Sequence, residues 1–126
     1  MQLDYIDKIN EFGDDLVRLY NFDSVQAKKF RDLIQQHILT NKKELDLKTV
    51  DFIEARNCNL IFLISDEDFG IITKDKKTFF CVLTTEGYQR MISLLAPFCA
   101  KETQGFQYLY DIDTHTDFLF SPAGTW

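Results

Sequence analysis

Four polar residues stand at every second position near one end of the sequence: Asp111, Asp113, His115 and Asp117. In an extended strand, side chains two residues apart point to the same face. Three carboxylates and an imidazole on one face are suitable ligands for a divalent cation. The spacing therefore gives a metal-site hypothesis for these four residues.

A comparison with calcium-binding loops favours a turn over a metal site. Counted from Asp111, the sixth position is Thr116, where such a loop needs glycine, and the twelfth is Pro122, where it needs glutamate. Residues 113–116 have the composition of an ordinary turn. We therefore prefer the turn, keep the four residues as metal candidates, and predict no cofactor, since no cofactor motif occurs.

The remaining reactive residue types lack motif partners. Residues 68–70 spell the magnesium-binding Asp-Phe-Gly of protein kinases, but no glycine-rich loop or strand lysine accompanies them. The histidines, His37 and His115, belong to no serine-hydrolase or zinc-protease motif. Among the cysteines, only Cys58, close to Arg56, has surroundings that favour a reactive thiolate. The sequence thus favours a non-catalytic protein without excluding an enzyme.

The aromatic residues of the C-terminal part suggest a binding edge. Tyr108, Tyr110 and Trp126 stand among four acids within residues 101–126. Tyrosine and tryptophan are enriched at protein interfaces because they combine apolar area with a polar tip. With His115 they are our candidate binding residues, although a tail packed on its own domain is an equally good interpretation.

Hydrophobic spacing predicts a helix hairpin at the start of the chain. Apolar residues at steps of three and four from Tyr5 to Tyr20 predict a first helix that includes Ile9 and Phe12. Asp23 has the position of an N-cap for a second helix that ends near Thr40. The short link between them predicts antiparallel packing.

The rest of the chain is predicted to alternate between strands and one more helix. Four apolar segments joined by tight polar turns predict a four-stranded antiparallel meander at residues 45–53, 60–64, 69–73 and 78–83. Thr84 or Thr85 has the position of an N-cap for a third helix that reaches Phe98, and a C-terminal β-hairpin of residues 106–110 and 117–120 follows. We predict an α+β fold with the helices on one face of the sheet and a single domain over 1–126.

Charge and cysteine content limit the partners. The net charge is −6, which opposes binding to nucleic acid. The acids concentrate at residues 1–23 (net −4) and 101–126 (net −3), so an acidic face results if these segments meet. No apolar run is long enough to span a membrane. The cysteines are odd in number and widely spaced, which predicts a cytoplasmic protein.

Two functions fit these observations. The first is a non-catalytic interaction module that docks on a basic protein surface, or pairs with itself as a homodimer. The second is a small-ligand binder or enzyme with a pocket between the helices and the sheet, using His37, Tyr88, Cys58 and the Asp111–Asp117 group.

Overall fold

The computed structural model describes residues 1–7, 11 and 13–124, which contain nine strands and two α-helices. The α+β class is therefore confirmed. The helices are α1 (Ser24–Leu33), which continues as a π-helical stretch (Ile34–Thr40), and α2 (Thr85–Ala100), and a short 3-10 turn covers Leu47–Thr49. The strands are β1 (Gln2–Ile6), β2 (Asp15–Tyr20), β3 (Leu45–Asp46), β4 (Glu54–Ala55), β5 (Asn59–Ile64), β6 (Gly70–Thr73), β7 (Thr78–Leu83), β8 (Gln107–Tyr108) and β9 (Thr116–Ser121).

A five-stranded mixed sheet has the order β4-β1-β2-β9-β8. β1 and β2 pair antiparallel, whereas β2 and β9 run parallel with Val17 opposite Phe118. β8 pairs antiparallel with β9, as expected for the C-terminal hairpin. The two acidic segments of the sequence therefore share one sheet.

A four-stranded mixed sheet has the order β3-β5-β7-β6. β5 and β7 run parallel with Phe62 opposite Cys81, and β6 pairs antiparallel with the other side of β7. Alternate side chains of the central strands, among them Leu60, Phe62 and Phe79, are completely buried. One face of this sheet therefore forms part of the core.

Aromatic rings join the two sheets and the helices in one core. Phe62 of the four-stranded sheet lies 5.9 Å from Phe118 of the five-stranded sheet, measured between ring centroids. Phe30 of α1 lies 6.0 Å from Phe62 and 5.8 Å from Phe120. Phe98 of α2 meets Phe120 edge to face at 5.3 Å. Burying such rings supplies most of the apolar area of a small core.

Both helices begin at side-chain caps. The Asp23 carboxylate accepts the Gln26 N–H at 2.8 Å at the start of α1, as the sequence predicted. The Thr84 hydroxyl accepts the Gly87 N–H at 3.0 Å at the start of α2. Within the described ranges, neither helix is long and apolar enough to cross a membrane.

The predicted N-terminal helix is wrong. Gln2–Ile6 and Asp15–Tyr20 form the antiparallel strands β1 and β2, in which Leu3 and Leu19 lie opposite each other and are both buried. The backbone of Gly13 has a φ of 76°, a conformation that suits a hairpin turn and not a helix. Pairing of this hairpin with β9 outweighs the helical spacing. Ile9 and Phe12, which were part of the predicted helix stripe, lie outside the described residues.

The predicted antiparallel meander and the single sheet with helices on one face are also wrong. The parallel strands β5 and β7 are neighbours, because β7 takes an interior position and gains hydrogen bonds from β5 and β6. Of the segment 45–53, only Leu45–Asp46 form a strand, β3. The next strand, β4, begins after this segment and pairs with β1 in the other sheet. The predicted third helix exists as α2, the second of two α-helices in the described chain.

Replacing Gly70 with alanine should destabilise the protein strongly. A Cβ at Gly70 would lie 2.8 Å from Thr114 Cγ2 and 2.9 Å from Tyr110 Cζ, and the φ of 76° disfavours any L side chain. Gly13→Ala is a matched control, because Gly13 has the same φ and no atom within 4 Å of the added Cβ. In urea denaturation we expect a loss of about 1–2 kcal/mol for Gly13→Ala from backbone conformation alone. A similar loss for both variants would contradict the close contact at Gly70.

Candidate functional site

A cleft of about 690 Å³ lies between α2 and residues 107–113. This volume is within the range of small-ligand sites. Its lining comes from α2, from the ends of the neighbouring strands and from the C-terminal segment. The lining residues are Asp68, Leu83, Gly87, Arg90, Ser93, Leu94, Gln107, Tyr108, Leu109, Tyr110, Asp111, Ile112, Asp113 and Asp117.

The cleft combines an apolar lining with acidic groups. Leu83 and Leu109 are buried, and Leu94 and Ile112 pack on the core. The charged lining residues are four aspartates and one arginine, Arg90. Because acids outnumber bases, the cleft has a negative potential that attracts cations.

Asp68 is held at the start of α2. One of its carboxylate oxygens accepts the Thr84 N–H at 2.7 Å and the Thr84 hydroxyl at 2.9 Å. A side chain at Gly87 would collide with this oxygen, because a Cβ there would lie 2.8 Å from it. The other oxygen lies 3.5 Å from Arg90 Nη2, whose side chain is 61% exposed. Asp68 thus fixes the helix start and holds Arg90 loosely over the cleft.

The pKa of Asp117 reflects the negative charges of neighbouring aspartates. Partial burial raises the pKa of this carboxyl, and the neighbouring charges of Asp14 and Asp113 raise it further. Asp117 and Asp113 line the cleft, whereas Asp14 lies just before β2. The parallel pairing of β2 with β9 brings these acids together, since Asp15 lies opposite Thr116.

The four predicted metal candidates do not lie at one site. Asp111, Asp113 and Asp117 line the cleft, but His115 lies elsewhere, with its Nε2 atom 3.3 Å from an Asp15 oxygen. Within residues 1–7, 11 and 13–124, no group of three or more His, Cys, Asp or Glu is arranged to hold a metal ion. The metal hypothesis therefore has no support from this geometry.

The predicted binding residues also have different surroundings. Tyr108 is 42% exposed and lines the cleft, next to the exposed ring of Phe106 at 5.8 Å. Tyr110 is half-buried, and its hydroxyl donates to the Thr116 carbonyl at 2.6 Å and accepts the Ile71 N–H at 3.0 Å. Trp126 lies outside the described residues.

Tyr110 therefore connects the two sheets. Ile71 belongs to β6, the outer strand of the four-stranded sheet, and Thr116 begins β9 of the five-stranded sheet. Burial raises the pKa of Tyr110 to about 12, so its phenol remains a donor at neutral pH. Its hydroxyl has a structural role beside the cleft.

A polar cluster escaped the sequence analysis. The buried Asp15 carboxylate accepts the Tyr5 hydroxyl at 2.6 Å and lies close to His115. Burial, and secondarily the bond to Asp15, raises the pKa of Tyr5. Tyr5 lies opposite Val17 in the β1–β2 pair, so its hydroxyl reaches Asp15 two residues before Val17, a contact that the helix prediction could not anticipate.

The other proposed pocket groups lie outside the cleft lining. The Tyr88 hydroxyl is within 2.7 Å of the carbonyl oxygens of Leu63 and Cys81. Burial, and secondarily the charge of Asp4, raises the pKa of the Cys58 thiol to about 12, so a reactive thiolate is disfavoured there. His37 lies on the π-helical stretch.

Comparison of the chain with protein-family models, with curated proteins and with solved structures found no match.

Tyr110→Phe should lower the free energy of unfolding by about 1–3 kcal/mol, because it leaves the Ile71 N–H and the Thr116 carbonyl without this partner. Tyr108→Phe is the matched control, since Tyr108 is exposed. We expect a change within about 0.5 kcal/mol for the control. Urea denaturation measures both, and equal losses would show that Tyr110 does not connect the sheets.

Asp117→Asn should stabilise the protein at neutral pH. The raised pKa means that the folded state binds a proton more tightly than the unfolded state, so stability falls as pH rises through the folded pKa. The substitution removes this loss, and we expect a higher melting temperature at pH 7 and a flatter pH dependence above pH ~4. The exposed Asp51→Asn serves as control. Parallel melting curves for wild type and Asp117→Asn across this pH range would refute the assignment.

Proposed function

We propose that this protein is a non-catalytic interaction module that holds a cationic side chain of a protein partner in the cleft between α2 and residues 107–113. The observation that supports this proposal is the lining itself, in which four aspartates face one arginine. The net charge of −6 and the sequence pI of about 4.8 agree with a basic partner.

The chemistry of the cleft suits the side chains of lysine and arginine. These residues have an apolar stem and a charged head, and they bury the stem while the head stays near polar groups. Leu94 and Ile112 offer apolar contact for the stem, and Asp111 and Asp113 offer charge for the head. The exposed ring of Tyr108 adds a surface for a cation–π contact.

Arg90 acts in this proposal as an internal competitor. Its guanidinium lies 3.5 Å from Asp68, a distance typical of a weak and exposed ion pair. An incoming cation can replace it without breaking a buried bond. The same Asp68 carboxylate remains anchored to Thr84 through its other oxygen.

The groups with catalytic potential serve structural roles, and this supports binding over catalysis. Tyr88 is bonded to two backbone carbonyls, and Asp68 accepts hydrogen bonds from Thr84, the N-cap of α2. The pKa of Cys58 is raised, so its thiol is a poor nucleophile at neutral pH.

A free organic cation is the second candidate ligand. The cleft volume of about 690 Å³ suits a small molecule with several amino groups as well as a peptide side chain. The two ligands share their chemistry and differ in whether the surface around the cleft contributes to binding.

A cytoplasmic location is part of the proposal. The three cysteines are free, and Cys58 and Cys81 are buried in the core. Free thiols in a small domain fit a reducing compartment.

Binding of a fluorescein-labelled hexa-arginine peptide should depend on the cleft acids. We expect Asp111→Asn/Asp113→Asn to weaken binding about five- to tenfold, because each exposed charge pair contributes up to about 1 kcal/mol. Arg90→Gln should tighten binding, since it removes the competing charge. Fluorescence anisotropy at low salt and at 0.5 M salt, which screens exposed charges (roughly a 4 Å Debye length), measures these changes.

Two control variants separate the cleft from the overall charge. Asp51→Asn and Arg56→Gln change exposed residues outside the cleft lining, and each should alter affinity less than about twofold. Equal effects of cleft and control substitutions would overturn the proposal, as would the absence of saturable binding. Spermine that binds as tightly as the peptide would instead favour the free organic cation.

A further inference from the structure

The four-stranded sheet has a second face that the core does not use. Leu60 and Phe62 of β5 point into the core, so the alternating residues Ile61 and Leu63 point to the opposite side. On β7, Phe80 and Val82 share that side. On β6 it is Ile72. We call Ile61, Leu63, Ile72, Phe80 and Val82 the outer face.

The outer face is a continuous apolar surface. The strand register places Ile61 opposite Phe80, and Phe80 opposite Ile72, so three apolar side chains form a row across three strands. Leu63 and Val82 form the adjacent row. Ile72 is exposed and Ile61, Leu63 and Phe80 are half-buried, whereas Val82, on the interior strand, is only 8% exposed.

Exposure is greatest at the β6 side of the outer face. Ile72 is 48% exposed, although it is a large apolar residue. A groove of about 430 Å³ lies beside it. The groove is lined by Ile72, Thr73, Lys74, Asp75, Thr78 and Phe80. The exposed Ile72 and the groove beside it are the part of the outer face that is most open to a partner.

The edges of this sheet are poorly suited to strand addition. The Ile71 N–H of the edge strand β6 donates to Tyr110, and the opposite edge strand β3 has only two residues. Short or covered edges are a known means of preventing edge-to-edge pairing. A partner is therefore expected to stack on the outer face.

The two ends of the sheet carry opposite charges. The turn before β7 contains Lys74, Asp75, Lys76 and Lys77, all exposed, with a net charge of +2. The exposed Asp66 and Glu67 follow β5 at the other end. Since β5 and β7 run parallel, the basic turn lies where both begin and the acidic turn lies where β5 ends.

We propose that a second copy of this chain docks on the outer face, related by a two-fold axis that runs across the strands. This axis reverses the strand direction, so the basic turn of each copy meets the acidic turn of the other, twice in the dimer. The apolar rows are buried between the two sheets. The opposite arrangement, with strands running in the same direction, would place like charges together.

Ile72→Lys tests the apolar contact. Wild type should sediment at twice the chain mass of 14.8 kDa at the upper end of a range from about 1 to 200 µM, and Ile72→Lys should stay monomeric throughout. Val25→Lys is the matched control, because Val25 is 60% exposed on α1, and it should dimerise as wild type does. Circular dichroism and cooperative melting show that each variant is folded. A wild-type monomer at every concentration would overturn the proposal, and so would a folded Ile72→Lys dimer.

Charge reversal tests the orientation of the two copies. Lys74→Glu/Lys77→Glu makes both ends of the sheet acidic, and Asp66→Lys/Glu67→Lys makes both ends basic. We expect each variant alone to dimerise at least about tenfold more weakly than wild type, because like charges then face each other. A mixture of the two should form heterodimers, detected by native mass spectrometry. Unchanged homodimers, or no heterodimers in the mixture, would refute this arrangement.

Discussion

Phe62, Phe118 and Phe30 belong to the four-stranded sheet, the five-stranded sheet and α1, and their ring centroids lie about 6 Å apart in the pairs Phe62–Phe118 and Phe30–Phe62. All three are buried. Because the three rings pack in one core, the four-stranded sheet must lie next to both α1 and the five-stranded sheet. Phe120, stacked 4.0 Å from Phe22, extends the same constraint to the start of α1. The cleft beside α2 and the outer face are the surfaces left after this requirement is met.

The sequence predicted those elements whose signals are local. Asp23 and Thr84 mark the helix starts, and the apolar runs of β5 and β7 are long enough to stand out. The sequence-based prediction was wrong where the structure of a segment depends on pairing with a segment that is distant in the sequence. Apolar residues from Tyr5 to Tyr20 have helical spacing, yet β1 and β2 are strands, and β2 pairs with the distant β9. No local sequence pattern indicates the parallel pairing of β5 and β7 either, because a polar turn after a strand does not determine which strand becomes its neighbour.

The sequence pointed to part of the cleft lining. Asp111, Asp113 and Asp117 were proposed as metal ligands because of their spacing, and all three line the cleft. The segment does not form one continuous strand, so the four candidates do not share a face and His115 contacts Asp15. Arg90 of α2 and Asp68, which lies between β5 and β6, were missed as cleft residues, since only the fold brings them beside residues 107–113.

The position of β9 inside the five-stranded sheet affects how the protein is made. β2 is translated early, but its parallel partner follows only after residues 21–115. At typical translation rates of 5–20 residues per second, the β9-facing edge of β2 waits about 5–20 s for its partner. Val17 and Leu19, which are apolar, therefore cannot be covered by β9 before Ser121 has been synthesised.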